Sequence, residues 1–329
     1  MNRIDIAEMH VHMSYPAITL VAQCDQVVIK ERLDALLSSA EQSADLSKVR
    51  GNVNNILEHF FCPYGPKKIA ILINKHIARV YSVPVDIEDY QEISHHFVLD
   101  PIIKSLNRKE RYWVLVGQGD EARFYEGYTG ELTEVVHTAS GLPWHIGHPV
   151  CLYKNDLACL YSQIDRHIDR FFEQDPLPLL IVGSSKEQEL FKTHSKYAQS
   201  VCAFASDLHQ VPALAHTCYE RLYRSTLTYA DRGGSDVVSQ NDVGYDQIMK
   251  HAWQGSIETL LVEKGLTQKG CSDKITGEVA TENACTTYQQ SVDIVDAIIE
   301  EVKAKRGTVF LLPDGALSKY GGMVAITRF

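Results

Sequence analysis

Long hydrophobic runs are missing from this chain. Its longest apolar stretches, such as Pro178 to Val182 and Val309 to Leu312, fall far short of the roughly 20 residues that a membrane-crossing helix needs. The start, Met1-Asn2-Arg3-Ile4-Asp5, has no apolar core of a secretory signal. Both gaps predict a cytoplasmic chain with no membrane partner. Paired thiols are also missing. There are eight cysteines, but no two form a C-x-x-C pair, the spacing of structural zinc sites and redox dithiols. The expectation is therefore buried free thiols in a reducing compartment, with no metal. Positive charge is scarce as well. The net charge is −10, and each of the three blocks described below is acidic. That excludes a strong nonspecific grip on nucleic-acid backbone, so an RNA partner would have to be met through local patches. There is no G-x-S-x-G elbow, no P-loop, no internal repeat and no low-complexity tract.

What is present is ordinary globular material, 45% hydrophobic and 22% charged over 329 residues, and at about 100–200 residues per domain this length suggests two or three domains. The pattern divides into residues 1–108, 109–211 and 212–329, all α/β. In the first block, Ala17 to Val21 reads as a strand. Ile29 to Ala44 and Val49 to Phe61 have helical spacing, and Lys68 to Asn74 and Ala78 to Pro84 are strands. The second block opens with three antiparallel strands, Tyr112–Gly117, Ala122–Glu126 and Leu132–His137. An irregular stretch, Ser140 to Pro149, carries two prolines and two glycines. A helix over Leu152 to Gln174 follows, then a strand at Leu179–Gly183, a helix with Ser185 as N-cap, and a last strand at Ser200–Ala205. This βββαβαβ order is that of a ribonuclease-H-like sheet. The third block alternates helices (213–229, 242–254, 292–304) with strands (257–262, 309–312, 324–328), an α/β sandwich. Between them, Thr267 to Thr281 is polar and glycine-bearing and reads as a mobile loop.

Several residues invite chemistry. His145 and His148 stand three apart beside Trp144 and Gly147, but prolines argue against the helix that a two-histidine metal site would use, and no thiol or carboxylate completes one. A recognition loop fits better, since tryptophan and histidine on a stiff loop make a natural contact surface. Asp165 and Asp169 share a helical face with Arg166 and Arg170 between and beside them, which reads as a solvated face of alternating charge rather than a catalytic pair. A nuclease of this fold would need strand carboxylates to hold magnesium, and the strands offer only Glu126. Gly183-Ser184-Ser185-Lys186 enters a helix after an apolar strand, as anion sites do, but ordinary strand-to-helix turns look the same. No cofactor is expected.

With these blocks laid out, a resemblance appears. The run VLVGQGDEARFY within the second block resembles the opening hairpin of the middle domain in archaeo-eukaryotic class I release factors and in the Pelota family. Gly255-Ser256-Ile257-Glu258-Thr259-Leu260-Leu261 resembles a helix-to-strand step of the release-factor C-terminal domain. Tyr320-Gly321-Gly322 and the strand to Phe329 resemble its closing element. The layout as a whole is similar to the bacterial archaeo-eukaryotic release factor family, its subgroup three included. The resemblance spans 109–329 and does not extend to the first block. It implies association with the ribosome or tRNA in rescue, release or hibernation, and a protein partner at the C-terminal domain. The Gly-Gly-Gln of the hydrolysing members is absent from the corresponding loop at 140–149, so binding rather than hydrolysis is expected, with Trp144, His145, Gly147 and His148 as contact residues. A peptidyl-tRNA hydrolase using that loop and a protein–protein adaptor are the competing readings.

Overall fold

A computed structural model describes residues 9, 14–40, 45–59, 67–118, 121–128, 131–135, 145–147, 157–172, 177–272, 278–281, 285 and 290–328. In the first block, β1 (Ala17–Gln23) lies inside the antiparallel sheet order β3-β2-β1-β4, with β2 at Lys68–Ile73, β3 at Ala78–Ser82 and β4 at Tyr90–Ser94. The run ILINKHIARVYS (71–82) turns at Asn74, whose side chain accepts from the N–H groups of His76 and Ile77 at 2.8 Å each. All of β2 and all of β1 except Gln23 are buried, on both faces, so both strands read as apolar runs rather than alternating ones. One face packs α1 (Gln26–Ser39) and α2 (Leu46–His59) through Ile29, Leu33, Val49 and Val53. The other packs α3 (Asp100–Asn107) through Ile102, Ile103 and Leu106. Helix α1 starts earlier than its apolar spacing suggests because Asp25 caps it, accepting from Val27 and Val28 N–H at 2.9 and 3.1 Å.

The middle sheet has the order β10-β9-β5-β6-β7, with β5 at Arg111–Gln118, β6 at Glu121–Tyr128, β7 at Glu131–Glu134, β9 at Leu179–Val182 and β10 at Val201–Ala205. The β5–β6–β7 meander is antiparallel, while β9 runs parallel to both β5 and β10. One additional strand departs from expectation. His145–Gly147, inside the stretch read as irregular, forms β8, which pairs antiparallel with β6 in the register Ala122↔Ile146. Helices α4 (Leu157–Phe172) and α5 (Ser185–His194) cover one face of this sheet, where Trp113, Phe124 and Phe171 bring their rings within 5.2 Å of one another. The start of α6 (Val211–Asp231) covers the other face through Val211 and Ala215. Gly127 is required where it stands, because a Cβ there would lie 2.1 Å from the ring of its cross-strand partner Tyr112.

The third block holds a four-stranded sheet, β11-β17-β12-β16, with β11 at Val237–Ser239, β12 at Ile257–Glu263, β16 at Thr308–Leu312 and β17 at Met323–Thr327. Helices α7 (Gln240–Trp253) and α8 (Ile294–Ala304) pack on one face, and Tyr219 and Tyr223 of α6 on the other, so the sandwich expected from the alternation is present. Two expectations are corrected here. The stretch 267–281 is not simply a loop: Lys269–Ser272 (β13) and Val279–Thr281 (β14) join Gln290–Asp293 (β15) in a small antiparallel sheet, while 273–277 lie outside the described residues. The cysteines are not all free thiols either. Cys271 and Cys285 form a disulfide, and Cys24 and Cys159 are also disulfide-bonded. The sequence hides the first pair because its members are 14 residues apart and are brought together by the β13–β14 hairpin. Cys202 and Cys218 are not in disulfides.

The chain divides into two compact units. One comprises 1–106 with 111–216, and the other 107–110 with 217–329. No helix among the described residues is long and apolar enough to cross a membrane.

Candidate functional site

Strand order reverses between β5 and β9, since the chain leaves β5 for β6 and β7 and then returns to the other side of β5. Ligands of open α/β sheets settle outside the carboxyl ends of strands at such a point. A crevice of about 440 Å³ opens there, lined by Gly117 at the end of β5, by Gly183, Ser184 and Glu187 after β9, and by Ser206, Asp207 and His209 after β10. Gln188 stitches the floor, its amide donating to the carbonyls of Gly183 at 2.9 Å and Ala205 at 3.1 Å.

The helix N-terminus on this crevice is already served from within. Ser184, not Ser185, is the N-cap. Glu187 N–H donates to Ser184 Oγ at 3.3 Å, while Ser184 N–H donates to the Glu187 carboxylate at 2.6 Å. This capping box puts the chain's own carboxylate where an external anion would sit. Asp207 likewise accepts from His209 N–H at 2.8 Å. The crevice wall is therefore acidic, and it suits a small group that donates hydrogen bonds rather than a phosphate. Among the described residues, no three His, Cys, Asp or Glu side chains gather as a metal site.

Of the predicted contact residues, Trp144 and His148 lie outside the described residues. His145 and Gly147 are placed by their backbone in β8, opposite Arg123 and Glu121 of β6.

The acidic pair on α4 overturns the solvated-face expectation. Asp165 is buried, at 8% exposure. It accepts from Ser195 Oγ at 2.5 Å and Lys196 N–H at 2.9 Å. Asp169 accepts from Lys196 Nζ at 2.7 Å and from the Tyr197 hydroxyl. Both carboxylates thus hold the turn after α5 to α4. The hydrogen bond from Lys196, joined by that from Tyr197, holds the Asp169 carboxyl below the usual carboxylate range. Glu126, the one acid on the sheet strands considered for metal binding, is also occupied. It is 3% exposed and takes a 2.7 Å hydrogen bond from Nε of buried Arg111, with a second contact from the same guanidinium. The rings of His95 and Tyr15 meet at a 39° tilt, their centroids 4.9 Å apart. Sequence reading missed the crevice itself. Its signals were glycines at the ends of two apolar strands, and they gain meaning only once β5 and β9 are known to be neighbours.

These elements define a mixed α/β protein with a ribonuclease-H-like middle sheet. No known family matches the chain, and no curated protein does. Among solved structures it is similar to the archaeal translation termination factor aRF1, with 12% identity over 99% of this chain and 96% of that one and a TM-score of 0.26. It is similar to Saccharomyces cerevisiae Dom34, described as a translation termination-like factor that interacts with Hbs1, with 10% identity over 80% and 86% of the two chains and a TM-score of 0.36. It is also similar to Archaeoglobus fulgidus Pelota, with 15% identity over 80% and 84% and a TM-score of 0.25.

Proposed function

We propose that this chain is a translation factor that associates with the ribosome and works by binding, in the cytoplasm where such a partner resides. The observation that carries the reading is the order of parts. A ribonuclease-H-like sheet runs through α6 into a helix-covered four-stranded sheet, which closes on Gly321-Gly322, both at positive φ (73° and 85°), and a last strand. This is the order that the sequence resemblance implies, and the warrant is analogy of fold joined to motif. Binding is favoured over hydrolysis for a chemical reason. The stretch at 140–149 has no Gly-Gly-Gln, and the strand carboxylate Glu126 is held by Arg111 instead of facing solvent.

In this reading the 140–149 stretch is the contact tip, and Trp144 is its anchor; a tryptophan at the centre of an interface typically contributes about 2 kcal/mol or more. Which of rescue, release or hibernation it serves belongs to the same proposal and is decided by when the chain is found on ribosomes. Sucrose-gradient sedimentation of tagged protein at low salt tests it. Co-migration with ribosomal fractions is expected, weakened by Trp144→Ala at an unchanged Tm. Recovery only in the top fractions, in growth and in starvation alike, removes the reading. Peptidyl-tRNA-loaded ribosomes given the purified protein should release no peptide above background, and release would favour the hydrolase instead.

A further inference from the structure

The second compact unit carries a cluster that the reading above does not use. Helix α7 ends at Trp253, a residue 38% exposed. Gly255, at φ 70°, turns the chain away so closely to α8 that a Cβ there would meet Lys305 Cβ at 3.4 Å. That approach places Lys305 Nζ 5.7 Å from the centre of the Trp253 ring. Arg328 follows the last strand and donates to the carbonyls of Lys305 and Arg306 at 3.1 and 3.3 Å, so its guanidinium is tied to the same corner. Lys250, one turn before Trp253 on α7, is exposed and lies on the same helical face. Three cations thus gather at the corner of one exposed tryptophan, Lys305 over its ring and Lys250 and Arg328 beside it, in a chain of net charge −10. Among the described residues one acid pairs with them: Glu301, 3.6 Å from Lys305.

The backbone at this corner is the second observation. Helix α8 ends in a Schellman cap, with Gly307 N–H donating to Val302 O at 2.8 Å and Arg306 N–H to Lys303 O at 3.1 Å. The left-handed position of such a cap is ordinarily glycine. Here it is Arg306, at φ 63°, the one non-glycine residue at positive φ among the described residues. Glycine stands one place later, where the demand is space: a Cβ at 307 would lie 2.6 Å from Val302 and 2.9 Å from the Ile257 carbonyl. The chain keeps an arginine in a conformation disfavoured for L-residues. Among the described residues the guanidinium of that arginine makes no contact that would reward it, and neither does the ammonium of Lys250.

We propose that Trp253, Lys250, Lys305, Arg306 and Arg328 form a contact surface for single-stranded nucleic acid. A base stacks on the indole, and the flanking phosphates are met by the cations. This division of labour is how sequence-tolerant single-strand sites work. An acidic peptide would satisfy the cations but bring no planar ring to the exposed part of the indole, so nucleic acid fits the whole cluster better. The surface stands on its own geometry and requires neither the 140–149 stretch nor a ribosome.

The test is fluorescence anisotropy of the full chain with labelled short oligouridylate and oligothymidylate. Binding should weaken with salt, with a slope of log K against log salt of about −2 if three phosphates are neutralised. Trp253→Ala should lower affinity about tenfold, within the range of one base–aromatic stack. Arg306→Gly supplies the control against misfolding. It should weaken binding about threefold while raising Tm, because glycine relieves the left-handed strain. Preference for the RNA over the DNA strand would place the 2′-hydroxyl in the contact, and equal binding would leave backbone and base alone; both support the surface. Unchanged affinity in Trp253→Ala, competition by polyglutamate as effective as by oligonucleotide, or no binding at low salt overturns it. Oligonucleotide binding without ribosome co-migration would remove the ribosomal reading and leave this surface standing; co-migration without oligonucleotide binding would do the reverse.

Discussion

Glu126 and Arg111 show how one side chain decides what another can do. Both are almost fully buried, at 3% and 6% exposure. Neither charge can be left alone in that setting without a large desolvation cost. Glu126→Ala should therefore destabilise the first unit by about 3–5 kcal/mol, seen as a lower urea midpoint with an unchanged slope. A loss under about 1 kcal/mol would mean that water reaches Arg111 once the carboxylate is gone. Asp169 acts more gently, since it is partly exposed and its partners are Lys196 and Tyr197. Its folded pKa is depressed. Its stabilisation is thus present above the ordinary carboxylate pKa and is lost as pH falls through the lower folded value. Asp169→Asn should cost about 0.5 kcal/mol at neutral pH. It should also flatten the acid limb of stability below about pH 4, in thermal melts compared across pH. An acid limb as steep as that of the parent would assign the titration elsewhere.

At the scale of elements, what the sequence revealed depended on whether a signal was local. The apolar runs Lys68–Ile73 and Leu179–Val182 could be read directly because both of their faces are buried. Strand β4 was overlooked because YQEIS is half-exposed and polar at its centre. Helix α3 was overlooked too, although Pro101 and Asp100 in its first turn are a recognisable start. The start of α1 moved because the cap Asp25, rather than an apolar position, sets it, while the helix capped by Ser184 keeps its expected bounds, Ser185–His194, with the cap one residue earlier. The β13–β14 hairpin and its disulfide had no local signal at all. Cys271–Cys285 closes a loop that the chain-entropy account values at about 3 kcal/mol. Non-reducing peptide mapping of protein purified in air should recover the linked pair, and reductant should lower Tm. Recovery of both thiols fully alkylated would deny the bond in solution.

The whole molecule is not a string of sequential pieces. Residues 107–110 belong to the second unit although the first unit resumes at 111. Arg108 secures them, with Nε 3.0 Å from Asp296, NH2 3.6 Å from Asp293, and NH1 donating to the carbonyls of Leu266 and Lys264 at 2.7 and 3.3 Å. Glu110 adds an ion pair to Lys264 at 2.7 Å. Removing Arg108 leaves two acids without their cation, so Arg108→Ala should cost about 3 kcal/mol or more. That loss should appear in hydrogen exchange across β13, β15 and α8; a loss confined to the first unit would contradict the assignment. The same insertion governs how the chain can be made. During synthesis the four residues emerge early, flanked by sequence of the first unit, and their acidic partners at 293 and 296 emerge only after the first unit is complete. The second unit cannot complete itself until residues 293 and 296 have left the ribosome, so a nascent chain stalled before α8 offers Arg108 the carbonyls of Lys264 and Leu266 but neither of its acids.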